Sequence, residues 1–221
     1  MSSGGTLQRP AALTSEVYNA ILDRITGMQI APDARINVDT LARELGVSQT
    51  PVRESLSRLE AEGLVIKTHL IGHRASPQLT RPQIEQLFEL RLLIEPAGAA
   101  MAARNLDAKT RDALNRLHAE MSGMPGRATP TYSEFARKDA EFHALIAEAS
   151  GNMFLSDSLA KLHTHVHIFR LVFHTRVTTE AIDEHAEILA ALLRGDAAAS
   201  KKAMRAHITA SRDRVLTLLP A

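Results

Sequence analysis

Residues 41–65 constrain this chain more than any other stretch. Leu41, Ala42 and Leu45 share one face of a short helix, and Gly46 follows as a turn residue that tolerates unusual backbone angles. Ser48 stands where the next helix needs a cap, and Pro51 fits its first turn, where a missing N–H costs nothing. Val52, Leu56 and Leu59 recur at helical spacing and form one apolar stripe directed to a small core. The opposite face carries Gln49, Thr50, Arg53 and Ser57, side chains suited to base edges and phosphates. Gly63-Leu64-Val65 then leads into an extended segment. The pattern is a helix-turn-helix whose second helix reads DNA, with Gln49 and Thr50 at the end that enters the major groove.

Residues from about Ala20 to Val65 resemble the winged helix-turn-helix of the GntR family of bacterial transcription regulators. The resemblance is carried by Ile21-Leu22, Pro32, Arg35-Ile36, Leu41-Ala42, Leu45-Gly46-Val47-Ser48, Thr50-Pro51-Val52-Arg53-Glu54 and residues 59–65, in order and without gaps. It implies DNA contacts by Ser48, Gln49, Thr50 and Arg53, and at the wing tip by Gly72, His73 and Arg74. For Arg35 and Arg43, a phosphate contact and a solvated surface charge both remain open. Three positions depart from the family: Gln49 replaces an arginine, Asp33 a glycine and Val38 a glutamate. The first bears on base preference, since arginine suits guanine and glutamine suits adenine. The wing departs too, with Ile71 before Gly72 where the family usually has arginine.

Net charge does not advertise a nucleic-acid partner. The chain carries 26 Lys and Arg against 25 Asp and Glu, and residues 1–78 hold eight of each sign. Any DNA-facing potential therefore depends on placement. With 221 residues, the chain has room for one large or two modest domains. No apolar run is long enough to span a membrane, and the N-terminus lacks a secretory signal core, which points to a cytoplasmic protein. Residues 1–12 read as a disordered Ser/Gly-rich arm. The absence of cysteine excludes disulfides and thiolate metal sites.

The pattern changes near residue 78. Residues 13–78 comprise a helix over about 13–28, the helix-turn-helix, and two strands near 64–68 and 73–76 with Gly72 at the tip between them. Residues 79–221 show almost no strand signal and read as an antiparallel bundle of about six helices. The first, over about 80–104, has Thr80 as its cap and Pro82 in its opening turn; the fourth is expected as one long helix over 153–175, and the fifth begins after Thr178 or Thr179. Residues 123–131, with two prolines and two glycines, form a loop.

Four residues of the bundle suggest a metal site. Asp139 and His143, four apart, project from one helix face; His185 lies on the inner side of the fifth helix, and His207 is flanked by apolar neighbours on the sixth. One carboxylate and three imidazoles suit zinc, nickel, manganese or iron and suit calcium poorly. Spacing alone leaves buried, hydrogen-bonded histidines as the alternative. His163, His165 and His167 alternate at period two, which scatters them around a helix.

Asp139-Ala140-Glu141-Phe142-His143, Glu184-His185 and Ala206-His207 resemble the signature of the FCD ligand-binding domain in the FadR branch of the same family, over residues 80–215. That resemblance implies a divalent metal ion held by Asp139, His143, His185 and His207, and a small organic acid as effector. Arg91 is then a candidate clamp for an effector carboxylate or an ion-pair partner of Glu95, and Asn152 is a pocket residue or a helix cap. The implied protein is a homodimeric repressor that binds a short inverted repeat in double-stranded operator DNA and carries no catalytic residues. Two alternatives stay open: a repressor for which the metal itself is the signal, and a metal-dependent enzyme with a vestigial DNA-binding head.

Overall fold

The computed structural model describes residues 10–68, 72–123, 132–169 and 176–219. Residues 1–9 of the expected arm, Ile71 at the wing tip, residues 124–131 of the expected loop and Arg170 lie outside the described residues. By its internal packing the chain falls into two units, Met1–Gln78 and Leu79–Ala221.

The first unit begins with helix α1 (Pro10–Thr26), so residues 10–12 are helical rather than part of the arm. Pro10 explains the earlier start, because its fixed φ suits a first helical position. Strand β1 (Arg35–Ile36), which the sequence reading did not assign, is followed by α2 (Val38–Leu45) and α3 (Gln49–Ala61). Strands β2 (Val65–Thr68) and β3 (Gly72–Ala75) complete an antiparallel sheet in the order β1-β3-β2. Gly46 closes α2 at φ 67, donating its N–H to the last carbonyls of the helix, which makes the tight turn into α3. Val52, Leu56 and Leu59 of α3 are fully buried, as are Ile21 and Ile25 of α1. Each such side chain contributes about 1.5–3 kcal/mol by leaving water. Polar ties fix how α1 meets α3: Ser55 donates to the Thr14 carbonyl, Tyr18 donates to Glu62, and the Arg58 guanidinium lies 3.9 Å over the Tyr18 ring.

The second unit contains α4 (Arg81–Asn105), α5 (Ala108–Ser122), α6 (Tyr132–Ala149), α7 (Met153–Leu162), α8 (Thr164–Phe169), α9 (Arg176–Leu193) and α10 (Ala197–Thr217). Thr80 and Gln83 form a reciprocal capping box at the start of α4. Pro96 lies inside α4 and cannot donate to the Leu92 carbonyl; Arg205 of α10 donates to it instead at 3.4 Å. The single helix expected over 153–175 is a correction. It breaks at His163, which takes the left-handed conformation (φ 44) and caps α7 before α8 begins. The start of α9 at Arg176 also precedes the expected one. Phe88, Leu114, Phe142, Ile146, Ile188 and Ile208 form the centre of the bundle's core.

Candidate functional site

In the first unit, Ser48, Gln49, Thr50 and Arg53 are all exposed at the start of α3, opposite its buried stripe. Ser48 occupies the N-cap position, but its hydroxyl makes no capping bond, which corrects that part of the sequence reading. Arg53 donates to Gln49 Oε1 at 3.0 Å, and Gln49 donates its amide to Asp39 of α2. Arg53, Gln49 and Asp39 thus form one chain of hydrogen bonds across the exposed faces of α2 and α3. Arg43 is exposed on α2. Arg35 and Arg74 are direct partners across β1 and β3, both exposed, with Arg74 Nη1 3.5 Å from Asp33. Like charges placed opposite one another repel, and an anionic partner relieves the repulsion.

His73 is a second correction. β3 alternates exposed and buried residues, so Gly72 and Arg74 face outward while His73 is buried with Ala75. Burial lowers the His73 pKa, helped by the charge of Lys67, and the ring is turned inward rather than offered at the wing surface.

In the second unit, α6, α9 and α10 bring the four expected ligands together. Asp139, His143, His185 and His207 are all buried. The Nε2 atoms of His143 and His207 lie 3.2 Å apart, and Asp139 Oδ1 is 3.0 Å from His185 Nε2 and 4.0 Å from His143 Nε2. The three imidazoles each turn a nitrogen into a common space within 4.8 Å of one another.

The outer nitrogens explain which way the rings face. His143 Nδ1 lies 2.7 Å from Glu95 of α4, and His207 Nδ1 lies 2.8 Å from Glu184 of α9. Burial pushes Glu95 up, but the Arg91 charge and the His143 contact hold it well below the usual carboxylate range. Burial likewise opposes ionisation of Glu184, yet hydrogen bonds from Arg214 and His207 hold its carboxyl at about 2. Both are therefore ionised acceptors, and each Nδ1 must carry the proton it donates. Burial outweighs the Glu184 bond at His207 and lowers that ring to about 3, so it is neutral. Its Nε2 is then a lone pair that faces Nε2 of His143. Two nitrogens on one divalent ion at about 2.0–2.1 Å stand roughly 3 Å apart. The donor set and its spacing fit such an ion.

A cavity of about 240 Å³ adjoins this cluster. Glu95, His143, Glu148, Ser156, Leu159, His163 and Thr164 line it, with several alanines of α6 and α7. Thr164 Oγ1 is buried with no hydrogen-bond partner among the described residues, and the break at His163 is what places it there. Arg91 is 1% exposed and bound to Glu95, its Nε at 2.5 Å, and it is absent from the cavity wall. The exposed Asn152 caps α7 by accepting from the Leu155 N–H. Of the two roles the sequence left open for each, the structure shows the Glu95 ion pair of Arg91 and the capping bond of Asn152.

Sequence reasoning noted Glu95 and Glu184 only as neighbours of other residues, and missed Arg214 and Thr164 entirely. The i,i+4 spacing of Arg91 and Glu95 offered a clue to the first pair. Nothing local announces that Arg214, seven residues after His207, reaches Glu184 with both of its terminal nitrogens.

Comparison with known proteins agrees with this architecture. Residues 13–73 match the family described as Bacterial regulatory proteins, gntR family, and residues 86–210 match the FCD domain. A relative from Streptomyces ambofaciens, an HTH-type transcriptional regulator in an unstable DNA locus, is 30% identical over 205 residues, covering 90% of this chain and 83% of its own. The HTH-type transcriptional regulator YdhC of Bacillus subtilis is 25% identical over 204 residues, covering 91% and 90%. Among solved structures, Escherichia coli McbR/YncC superimposes with a TM-score of 0.72 at 20% identity, covering 93% of this chain and 97% of that one. The chain belongs to the GntR family of bacterial regulatory proteins, with an FCD second domain, and is a transcription regulator rather than an enzyme.

Proposed function

We propose that this regulator binds its operator as a homodimer, and that a small organic acid held beside a divalent ion in the helical domain sets its operator affinity. In this reading residues 13–78 are the DNA-binding domain, with Arg35, Arg43, Gln49, Thr50, Arg53, Gly72 and Arg74 at the DNA face, and residues 79–221 bind effector and partner subunit. The observation that carries it is the pair of facing Nε2 atoms of His143 and His207, 3.2 Å apart with each Nδ1 engaged by a carboxylate. Asp139 and His185 complete the ligand set. A bound divalent ion supplies a Lewis-acidic anchor for a carboxylate oxygen.

The carboxylates of Asp139, Glu95, Glu184 and Glu180 outnumber the guanidinium groups of Arg91 and Arg214, and Glu148 adds another at the cavity, so in this reading the ion itself is what attracts an acid. The cavity is smaller than the roughly 300–1,000 Å³ of drug-sized sites and suits a compact molecule, for which Thr164 offers an unused hydroxyl. Leu90 and Leu93 of α4 and Met153 and Phe154 of α7 are large apolar side chains left exposed, as a subunit interface requires. Among the described residues no helix is long and apolar enough to cross a membrane. An operator-binding regulator of a bacterium works in the cytoplasm, where its DNA lies.

Acid binding shifts the population between two arrangements of the paired heads, and operator affinity follows. In a repressor the acid releases the operator. The test is selection of bound duplexes from random DNA, with Arg53→Ala as control, followed by a screen of small carboxylates on the selected operator. A palindrome absent from the variant, released by one class of acid, is the expected result. Control by metal concentration alone favours the metal-sensing alternative.

A further inference from the structure

Two of the three histidines stand at the end of a three-residue chain of the same composition. On one side Arg91 binds Glu95 through Nε and Nη2, at 2.5 and 3.4 Å, and Glu95 Oε2 meets His143 Nδ1 at 2.7 Å. On the other, Arg214 binds both oxygens of Glu184, at 2.5 and 2.8 Å, and Glu184 Oε2 meets His207 Nδ1 at 2.8 Å. The two chains arise differently: the first couples α4 to α6, the second links α9 back to α10. The third ligand has no such chain. His185 Nδ1 has no hydrogen-bond partner among the described residues, and its ring is held by stacking on Phe142 at 4.7 Å between centroids.

We infer that Arg91 and Arg214 are positioning residues, each holding a glutamate as the acceptor that orients one histidine ring through its Nδ1. A carboxylate on a flexible glutamate can accept from a ring, but on its own it rotates away. A guanidinium that occupies both oxygens removes that freedom, because its planar fork matches the carboxylate edge. Partners of this kind orient metal-binding imidazoles, and their loss typically costs 10–100-fold in affinity. The assignment gives Arg91 a role other than an effector clamp. It rests on the metal reading above for its purpose, although ring orientation exists without the ion.

The test uses the full chain stripped of metal, comparing the parent with R214M and the near-isosteric E184Q by nitrogen-15 spectra of the histidine rings. Each protein is then titrated with zinc alone. The expected result is a single Nδ1–H form for His207 in the parent, and in both variants a mixed form for His207 with the His143 signals unchanged. Zinc binding by E184Q should weaken about 10–100-fold. A purely structural role for Arg214 lowers the melting temperature of R214M and leaves the His207 ring form unchanged, which overturns the inference while the metal reading stands. If R214M does not fold, E184Q carries the test, and an unchanged ring form with unchanged zinc affinity overturns the relay. Rings that behave as expected in a parent that takes up no zinc support the relay and remove the ion from the proposed function.

Discussion

His143 and His207 face each other through Nε2 across 3.2 Å, although sixty-four residues separate them in the chain. Three helices converge at this point, and α4 adds the glutamate behind His143. A divalent ion bound by both nitrogens would tie α6 to α10 at this point and stabilise the folded domain.

Removing a ligand should therefore lower metal content before it affects the DNA-binding head. His185→Ala and His207→Ala are expected to lose most of the metal carried by the parent, measured by elemental analysis after purification, and to lose acid binding with it. Full occupancy in both variants contradicts the four-ligand site.

Arg53→Ala should abolish specific operator binding while the fold and the dimer survive, since Arg53 is exposed and donates to the neighbouring Gln49 rather than to the core. A lost bidentate base contact costs about 1–3 kcal/mol. Gel-shift titration against operator and scrambled duplex measures it. Gln49→Arg is the companion variant and should move the preferred base toward guanine.

Acid should destabilise the helical domain through two groups with the same outcome. His207 titrates at about 3 in the folded protein against 6.5 for the free side chain, so below about pH 6.5 the unfolded chain gains a proton that the folded one refuses. Glu184 is held at about 2 against 4.5, so its contribution is present above about 4.5 and is lost as pH falls toward 2. Denaturant unfolding of the metal-free protein should show stability falling progressively from about pH 6.5 downward. A flat profile over that range contradicts the buried, neutral His207.

Leu93 is 74% exposed on α4 and Phe154 is 75% exposed at the start of α7. Leu93→Asp places a charge at one of these exposed apolar positions, and sedimentation should show the proposed dimer shifted toward monomer, with weaker binding to a two-half-site operator. A variant that stays fully dimeric places the interface elsewhere.

The local elements were legible in the sequence because their signals are local. Thr80 with Gln83, Gly46, and the stripe of Val52, Leu56 and Leu59 each act within a turn or two of helix. Asp139 and His143 were legible as a pair for the same reason, while His185 and His207 were visible only as buried-looking histidines until the resemblance to the FCD domain joined the four. The break at His163 was not, since histidine is no helix breaker and nothing in its neighbours along the chain signals a left-handed backbone. His73 was misread because its place in the alternation of β3, not its chemistry, decides which way it faces. Arg214 was hidden by distance, as its partner Glu184 lies thirty residues earlier. Arg91 looked like an anion clamp because a buried guanidinium needs an anion, and Glu95 of the same helix meets that need.

The most direct test of the account measures operator affinity of metal-loaded parent and His207→Ala proteins across a panel of small carboxylates. The account predicts that at least one acid changes the parent's affinity by about tenfold or more, a coupling of ordinary allosteric size, and leaves the variant unmoved. An acid that moves both proteins equally, or a panel that moves neither, contradicts it.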